Sequence, residues 1–273
     1  MESFVRTSES ILSIRPWTDK YPNLAAGFTT KDGGISRGYF HSMNPAFHVN
    51  DLADDVVSNR KILAERIHVP AEKWVGAEQT HETNIVKITA SEAGLGALDY
   101  ATALKQTDGM YTKENGILLT LLFADCVPVF FFAPKHHLVG AAHAGWKGTV
   151  GGISKAMVEK WTRVEGIPAE DIYVAIGPSI CPKCYMVDKK IIDLLKVILE
   201  EETKTAYNQI TESQFSLDLK KANALILHKS GILNENIITS ELCTSCDETL
   251  FFSHRRDSGK TGRMMGFIGF KEE

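Results

Sequence analysis

The chain has 273 residues, of which 44% are hydrophobic and 23% charged, and it carries a formal net charge of −4. That length can bury a sizeable core, and that composition belongs to a globular protein rather than a disordered one. A net negative balance creates no global positive field, which argues against a general nucleic-acid or anionic-lipid binder. A small-molecule substrate fits better, with any anion held by a few local basic residues.

The opening segment MESFVRTSESILSIRPW lacks the basic start and continuous apolar run of a secretory signal. The five cysteines form an odd set. Both features point to free or metal-bound thiols in a reducing, cytoplasmic compartment. Residues 30–38 (TKDGGISRG) carry three glycines and Arg37, and are predicted to form a loop. Residues 51–67 are acidic first and basic later. Val56, Val57, Leu63 and Ile67 fall near helical spacing, so an amphipathic helix is predicted there. Residues 74–88 read as strand, then the polar break EQTHETN, then strand.

Residues 116–133 are the most apolar stretch, long enough to suggest a membrane span. Asp125 in the middle, Pro128 and the flanking polar turns favour a buried strand pair instead, over 117–123 and 127–132. Residues 137–143 form a further strand that yields at Ala144-Gly145-Trp146 to a turn and a helix over about 151–164. Strands are predicted at 171–176, 237–239 and 267–270, and helices at 189–201 and 217–229. No repeat or linker divides residues 1–273, which read as one domain. Strict βαβ alternation is lacking, so the fold class is α+β rather than doubly wound. No GxGxxG or GxxxxGK[ST] sequence supports a dinucleotide or P-loop site.

Three short segments put soft ligands at the ends of predicted strands: EQTHETN around His81, ADCVP around Cys126 and AAHAGWKG around His143. Imidazole and thiolate suit zinc or copper, whereas magnesium and calcium prefer oxygen. Three protein ligands leave a fourth position open, as in catalytic zinc sites, where bound water reaches a pKa of about 7. Each residue has an ordinary reading beside this one. A histidine after a strand is commonly just hydrogen-bonded, and a cysteine in an apolar run is commonly a small hydrophobe. Cys126 is also a candidate nucleophile activated by His143 or His81, with no metal at all.

Cys181-Pro-Lys-Cys184 and Cys243-Thr-Ser-Cys246 together suggest a four-cysteine metal clip. The segment between the pairs is about three times the usual 15 to 20 residues of a zinc ribbon, so this reading is set aside. The loop SHRRDSGKTGRM supplies Arg255, Arg256, Lys260 and Arg263. It is either a phosphate grip or a solvated basic loop.

These segments together resemble the YfiH/YlmD family, long labelled multicopper polyphenol oxidoreductase or laccase-like, and its bacterial YlmD members above all. The matching pieces run from GFTTKDGGISRGYF and HVNDLADDVVSNRKIL through EQTHETNIV, TDGMYT, ADCVPVFF, AAHAGWKGTVGGI, IGPSICPKCYMV and SLDLKKAN to FFSHRRDSGKTGRM. The pairing of ADC-x-P with HAGW-[RK]-G is highly specific. Two departures stand out. Lys147 replaces the arginine of HAGWRG, and PKCYMV replaces PCCYEV, with Lys183 and Met186 at the changed positions.

The resemblance implies zinc ligands at His81, Cys126 and His143, with copper as the alternative metal. It implies mixed β-sheets packed together with flanking helices, related to a Cys–His toxin fold. It further implies phosphorolysis of adenosine, inosine, guanosine and S-methyl-5′-thioadenosine, and deamination of adenosine. Arg37, Asn44, Gln79, Asp108, Asp125, Trp146 and Arg256 also match family positions. Asp125 or another nearby carboxylate is expected to shuttle protons in the deamination, in which water activated at the metal attacks C6 of adenosine. Arg256, Arg37 and Lys147 are expected to hold phosphate, Asn44 a sugar hydroxyl, and Gln79 the substrate. The expected partners are purine nucleosides and phosphate, not nucleic acid or membrane; the oligomeric state is left open, a monomer being compatible. The competing readings are a metal-free Cys–His hydrolase, a copper-dependent phenol oxidase and a non-catalytic metal-binding protein. The phenol-oxidase reading suits the residues poorly, because the nine histidines include no HxH cluster.

Overall fold

The apolar runs at 118–123 and 127–133 become strands buried on both faces, which explains why neither alternates with polar residues. They are not paired with each other, contrary to the expected strand pair. β7 (Leu118–Phe123) lies in one six-stranded sheet and β8 (Val127–Ala133) in another, and Ala124-Asp125-Cys126 is the crossing between them. A computed structural model describes residues 2–272.

The first sheet runs β1 (Phe4–Ser8), β2 (Ile11–Ile14), β3 (Leu24–Thr29), β15 (Met264–Phe270), β7 and β4 (Trp74–Gly76). The second runs β14 (Ile237–Thr239), β10 (Tyr173–Ile176), β8, β9 (Leu138–Ala144), β6 (Gly109–Thr112) and β5 (Ile85–Ile88). Both sheets mix parallel and antiparallel neighbours. A small third sheet orders β11 (Met186–Asp188), β13 (Gln214–Leu217) and β12 (Tyr207–Gln209). The expected α+β architecture of packed mixed sheets with flanking helices is the observed one.

Side-chain alternation assigns the layers. On β8, Phe130 and Phe132 join Val139 and Ala141 of β9 in a core against Phe28, Leu119, Leu121 and Ile268 of the first sheet. Val127, Val129 and Phe131 point the other way, into a core with α4 (Ile153–Arg163), α5 (Lys189–Leu199) and α6 (Leu219–Lys229). On the far side of the first sheet, Leu63, Ala64 and Ile67 of α2 (Ala53–Ile67) pack on Leu118, Leu122 and Met265. The order is therefore helix, sheet, sheet, helices.

The predicted elements differ mainly at their ends. α2 starts at Ala53 rather than 51, with Asp54 and Asp55 in its first turn, and His68 ends it at φ 62°. The helix expected over about 151–164 is α4, and the turn expected before it holds a further short helix, α3 (Trp146–Val150), which Gly152 at φ 78° separates from α4. Residue 217 closes β13, and Asp218 caps α6 by accepting from the Lys221 amide. A short α1 (Arg15–Thr18) and strands β1 to β3, β6 and β11 to β13 went unpredicted, since these short segments carry little periodicity of their own.

Candidate active site

Two of the three candidate ligands sit where the chain passes from one sheet to the other, and the third lies at the end of a strand of the second sheet. His81 lies in the turn between β4 and β5, with φ 63°. Cys126 ends the crossing from β7 to β8, just after Asp125 at φ 83°. His143 is near the end of β9, paired across to Pro128 at the start of β8. By alternation, Cys126 and His143 share the strand faces of Phe130 and Ala141, so both point into the space between the sheets. One ligand atom from each of His81, Cys126 and His143 lies within 4.8 Å of the others. The two imidazoles are edge-on, with ring centroids 4.7 Å apart and planes at 76°.

The cluster is held by Asp108, a buried carboxylate immediately before β6. Its Oδ1 lies 2.8 Å from His143 Nδ1 and accepts from the His81 amide at 3.0 Å. Its Oδ2 accepts from the amides of Thr80 (3.0 Å) and Glu82 (2.9 Å). One residue thus assigns the His143 proton to Nδ1, leaves the Nε2 lone pair available on the side of Cys126, and fixes the turn that carries His81. Burial pushes the Asp108 carboxyl up, but hydrogen bonding from His143 and the two amides outweighs it and holds the pKa below the usual range. Gln79 anchors the same turn from the other side, giving and taking one hydrogen bond each with the Leu122 backbone at 2.9 and 2.8 Å.

Gly145 explains the glycine after His143 and Ala144. Its φ of −62° suits any residue, so the demand is for space. A Cβ there would meet Cys126 Sγ at 2.9 Å and His81 Cδ2 at 3.3 Å. Burial raises the Cys126 thiol, yet the charge and hydrogen bonding of His143 and His81 overcome this and bring its pKa down to about 6. Burial likewise lowers His143, but the charge on Cys126 and the bond to Asp108 raise its pKa to about 9. A thiolate ready at neutral pH is what metal binding or nucleophilic attack requires.

The donor set of two imidazoles and one thiolate fits zinc in an open three-ligand site. Among the described residues, two groups bring three or more metal donors together, this one and a four-cysteine group, and neither holds more than two histidines. Such donors match zinc better than a multicopper centre.

The cluster floors a cavity of about 420 Å³, within the usual range for small-ligand sites. Gln79, Asp125 and Trp146 line it, and so do His48, Tyr185, His254, Arg255 and Arg263, which sequence reasoning did not assign to the site. The signal for the two arginines was present in the glycine-punctuated basic loop, but Arg256 was the residue singled out there. Arg263 is half-buried and donates to the carbonyls of Thr261 and Gly262. Arg255 lies over the Tyr185 ring, 4.9 Å from its centroid.

Four expected substrate residues lie elsewhere. Arg256 donates to the carbonyls of Thr244, Ser245 and Phe251 and pairs with Asp257, so its guanidinium ties the loop together. Asn44 is fully buried; its Oδ1 accepts from the amides of Ala46 and Arg263, and its Nδ2 donates to Asp51. Arg37 is exposed ahead of the 38–40 turn, and Lys147 is exposed with Nζ 5.8 Å from the Trp146 ring centroid. Asp125 does reach the cavity, but its carboxylate already accepts from Thr244 Oγ1 (2.7 Å), Ser253 Oγ (3.0 Å) and the Arg255 amide (2.7 Å).

Residues 25–271 match the family model described as multi-copper polyphenol oxidoreductase laccase. The chain belongs to this family. It is 52% identical over 260 residues to a Geobacillus stearothermophilus protein named purine nucleoside phosphorylase YlmD, covering 95% of each chain. A Bacillus subtilis protein of the same name is 49% identical, with 98% of each chain covered. The crystal structure of YlmD from Geobacillus stearothermophilus superposes with a TM-score of 0.97 at 49% identity, covering 100% of both chains. The YfiH/YlmD resemblance read from the motifs is thereby established.

Proposed function

We propose that this chain is a purine nucleoside phosphorylase acting on adenosine, inosine, guanosine and S-methyl-5′-thioadenosine, with adenosine deaminase activity at the same site. The reading rests above all on the His81–Cys126–His143 cluster at the floor of an arginine-bearing cavity, in a chain about half identical, end to end, to proteins named for phosphorolysis. Residues 1–273 act as a single catalytic unit, and it works in the cytoplasm.

His81, Cys126 and His143 hold zinc, which when bound supplies a Lewis acid and a water activated at neutral pH. The chain's own contribution is positional. Arg255 and Arg263 receive the phosphate, since phosphorolysis needs that anion near the anomeric carbon as the bond from C1′ to the base nitrogen breaks. The bound phosphate also offsets the positive charge that develops on the ribose. Gln79 and Trp146 shape the base side of the cavity. Asp125 acts mainly through position, because Thr244, Ser253 and the Arg255 amide take three of the four acceptor sites of its carboxylate. The protons of deamination pass instead through His254 on the cavity wall.

One observation favours the metal-free Cys–His hydrolase as a second reading. Cys126, His143 and Asp108 form a relay in which the thiol pKa is about 6 and the imidazole is bonded to a carboxylate at 2.8 Å. His81 argues against it, because a second imidazole converging on the same sulfur has no task in such a triad. The deciding experiment incubates the protein with a nucleoside panel, with and without phosphate, and measures free base and ammonia before and after chelation. Phosphate-dependent release of base that is lost with the metal, and is absent in Cys126→Ala, is expected. Wild-type-like turnover in Cys126→Ala would sink the phosphorylase assignment to this site, and activity that survives chelation but not thiol alkylation would establish the hydrolase.

A further inference from the structure

The two CxxC pairs, set aside on spacing, meet in space. The Sγ atoms of Cys181, Cys184, Cys243 and Cys246 all lie within 4.8 Å of one another. Cys246 Sγ is 3.8 Å from that of Cys181 and 3.4 Å from that of Cys184. A tetrahedron built on zinc–sulfur bonds of about 2.3 Å has edges of ~3.8 Å. One sulfur approached by two others at such distances, with the fourth inside the same 4.8 Å, is a four-donor arrangement rather than a disulfide pairing.

Two further features call for thiolates here. The backbone N–H groups of Cys181 and Cys246 both donate to Cys243 Sγ, at 3.2 and 3.4 Å. A neutral thiol is a weak acceptor, while a thiolate rewards two aligned amides. Lys220, 6% exposed, packs beside the pairs; its Nζ donates to the carbonyls of Ser240 (2.6 Å) and Leu242 (3.1 Å), on the segment entering Cys243. Among the described residues it forms no ion pair with a carboxylate. Four thiolates around a divalent cation leave a net charge of about −2, which gives this buried ammonium a counter-charge.

We propose that Cys181, Cys184, Cys243 and Cys246 bind one structural Zn²⁺, separate from the open His81–Cys126–His143 site. Four protein donors close the coordination shell, so the ion fastens rather than catalyses. What it fastens is the cavity wall. Ile180 and Tyr185, which flank the first pair, line the cavity above Cys126. Ile180 N donates to the Asp125 carbonyl at 3.1 Å, and Thr244 Oγ1, inside the second pair, donates to Asp125 Oδ1 at 2.7 Å. Both loops thus converge on the residue next to Cys126. The β-bridge between Ser179 and Cys243 sets their alignment, and the metal holds it.

The test uses the full-length Cys126→Ala protein, so that the open site contributes no metal and the result stands whatever that site does. Elemental analysis after purification under reducing conditions without added metal is expected to give one zinc per chain. Titration with a mercurial should release that zinc as four thiols react. Adding Cys246→Ser should remove the zinc and lower the melting temperature by several degrees. Because the mercurial titration needs no second variant, a poorly folding double variant does not blunt the test. Zinc absent from the Cys126→Ala protein, zinc retained in the double variant, or iron in place of zinc would each overturn the proposal. So would a disulfide among these cysteines detected by mass spectrometry.

Discussion

Asp108 and His143 are joined twice: Oδ1 meets Nδ1 at 2.8 Å, and the Asp108 carbonyl accepts the His143 amide at 2.7 Å. The strand pairing of β6 with β9 places them side by side, and the same carboxylate gathers the amides of the turn that carries His81. Asp108→Asn keeps the shape but replaces a charged acceptor by an amide. Zinc affinity at the His81–Cys126–His143 site is expected to fall about 10- to 100-fold, the usual cost of losing such a supporting carboxylate. Competition with a chromogenic chelator checks it, and an unchanged affinity would mean that Asp108 does not orient His143.

Gly145 lies against the cluster by register, because Val127 pairs with Ala144 and so brings Gly145 opposite Cys126. Gly145→Ala places a methyl 2.9 Å from Sγ while leaving an ordinary backbone angle. Turnover is expected to drop on the order of 10- to 100-fold from misplacing a ligand by a fraction of an ångström, with little change in melting temperature. Parallel measurement of kcat and thermal unfolding separates the two effects.

The two arginines of the C-terminal loop that reach the cavity should behave unlike the one that does not. Arg263→Gln is expected to raise the KM for phosphate about 10- to 100-fold, as for loss of a charge-assisted hydrogen bond of roughly 1.5–3 kcal/mol, and to spare the KM for nucleoside. Arg256→Gln should instead lower the melting temperature, since it releases the carbonyls of Thr244, Ser245 and Phe251, and leave the phosphate KM near wild type. The opposite pattern in steady-state kinetics would return phosphate binding to Arg256.

Alkylation of metal-stripped protein reports the Cys126 thiolate. Because the folded pKa is lowered from 9.0 to about 6, the rate with iodoacetamide should be near its plateau at pH 7.5 and fall as pH drops through 6. The thiolate's stabilisation of the fold follows the same sign, present above the unfolded value and lost as pH falls through the folded one. A midpoint near 9 for the modified Cys126 peptide, read by mass spectrometry, would show that His143 and His81 do not lower it.

The α+β class and most long elements were legible in the amino-acid order, because they depend on local facts, whereas residue types alone left His81, Cys126 and His143 as candidates that the family resemblance then joined. Soft donors stand at strand ends, and uninterrupted apolar runs become strands buried on both faces. The same order could not tell that β7 and β8 belong to different sheets, since continuous hydrophobicity records burial and not the partner. Nor could it choose among Arg255, Arg256 and Arg263, which share one loop; only the folded path turns Arg256 onto its own carbonyls and the other two toward the cavity. The cysteine pairs make the point most plainly. Their separation along the chain argued against a common site, whereas distance through space follows from the bridge between Ser179 and Cys243, a contact of long sequence separation. The residue types determined which chemistry the His81–Cys126–His143 cluster can support. Tertiary structure alone decided that Asp108 aims it, that Gly145 makes room for it, and which side chains face it across the cavity, because sheet register and layer packing are properties of the whole chain.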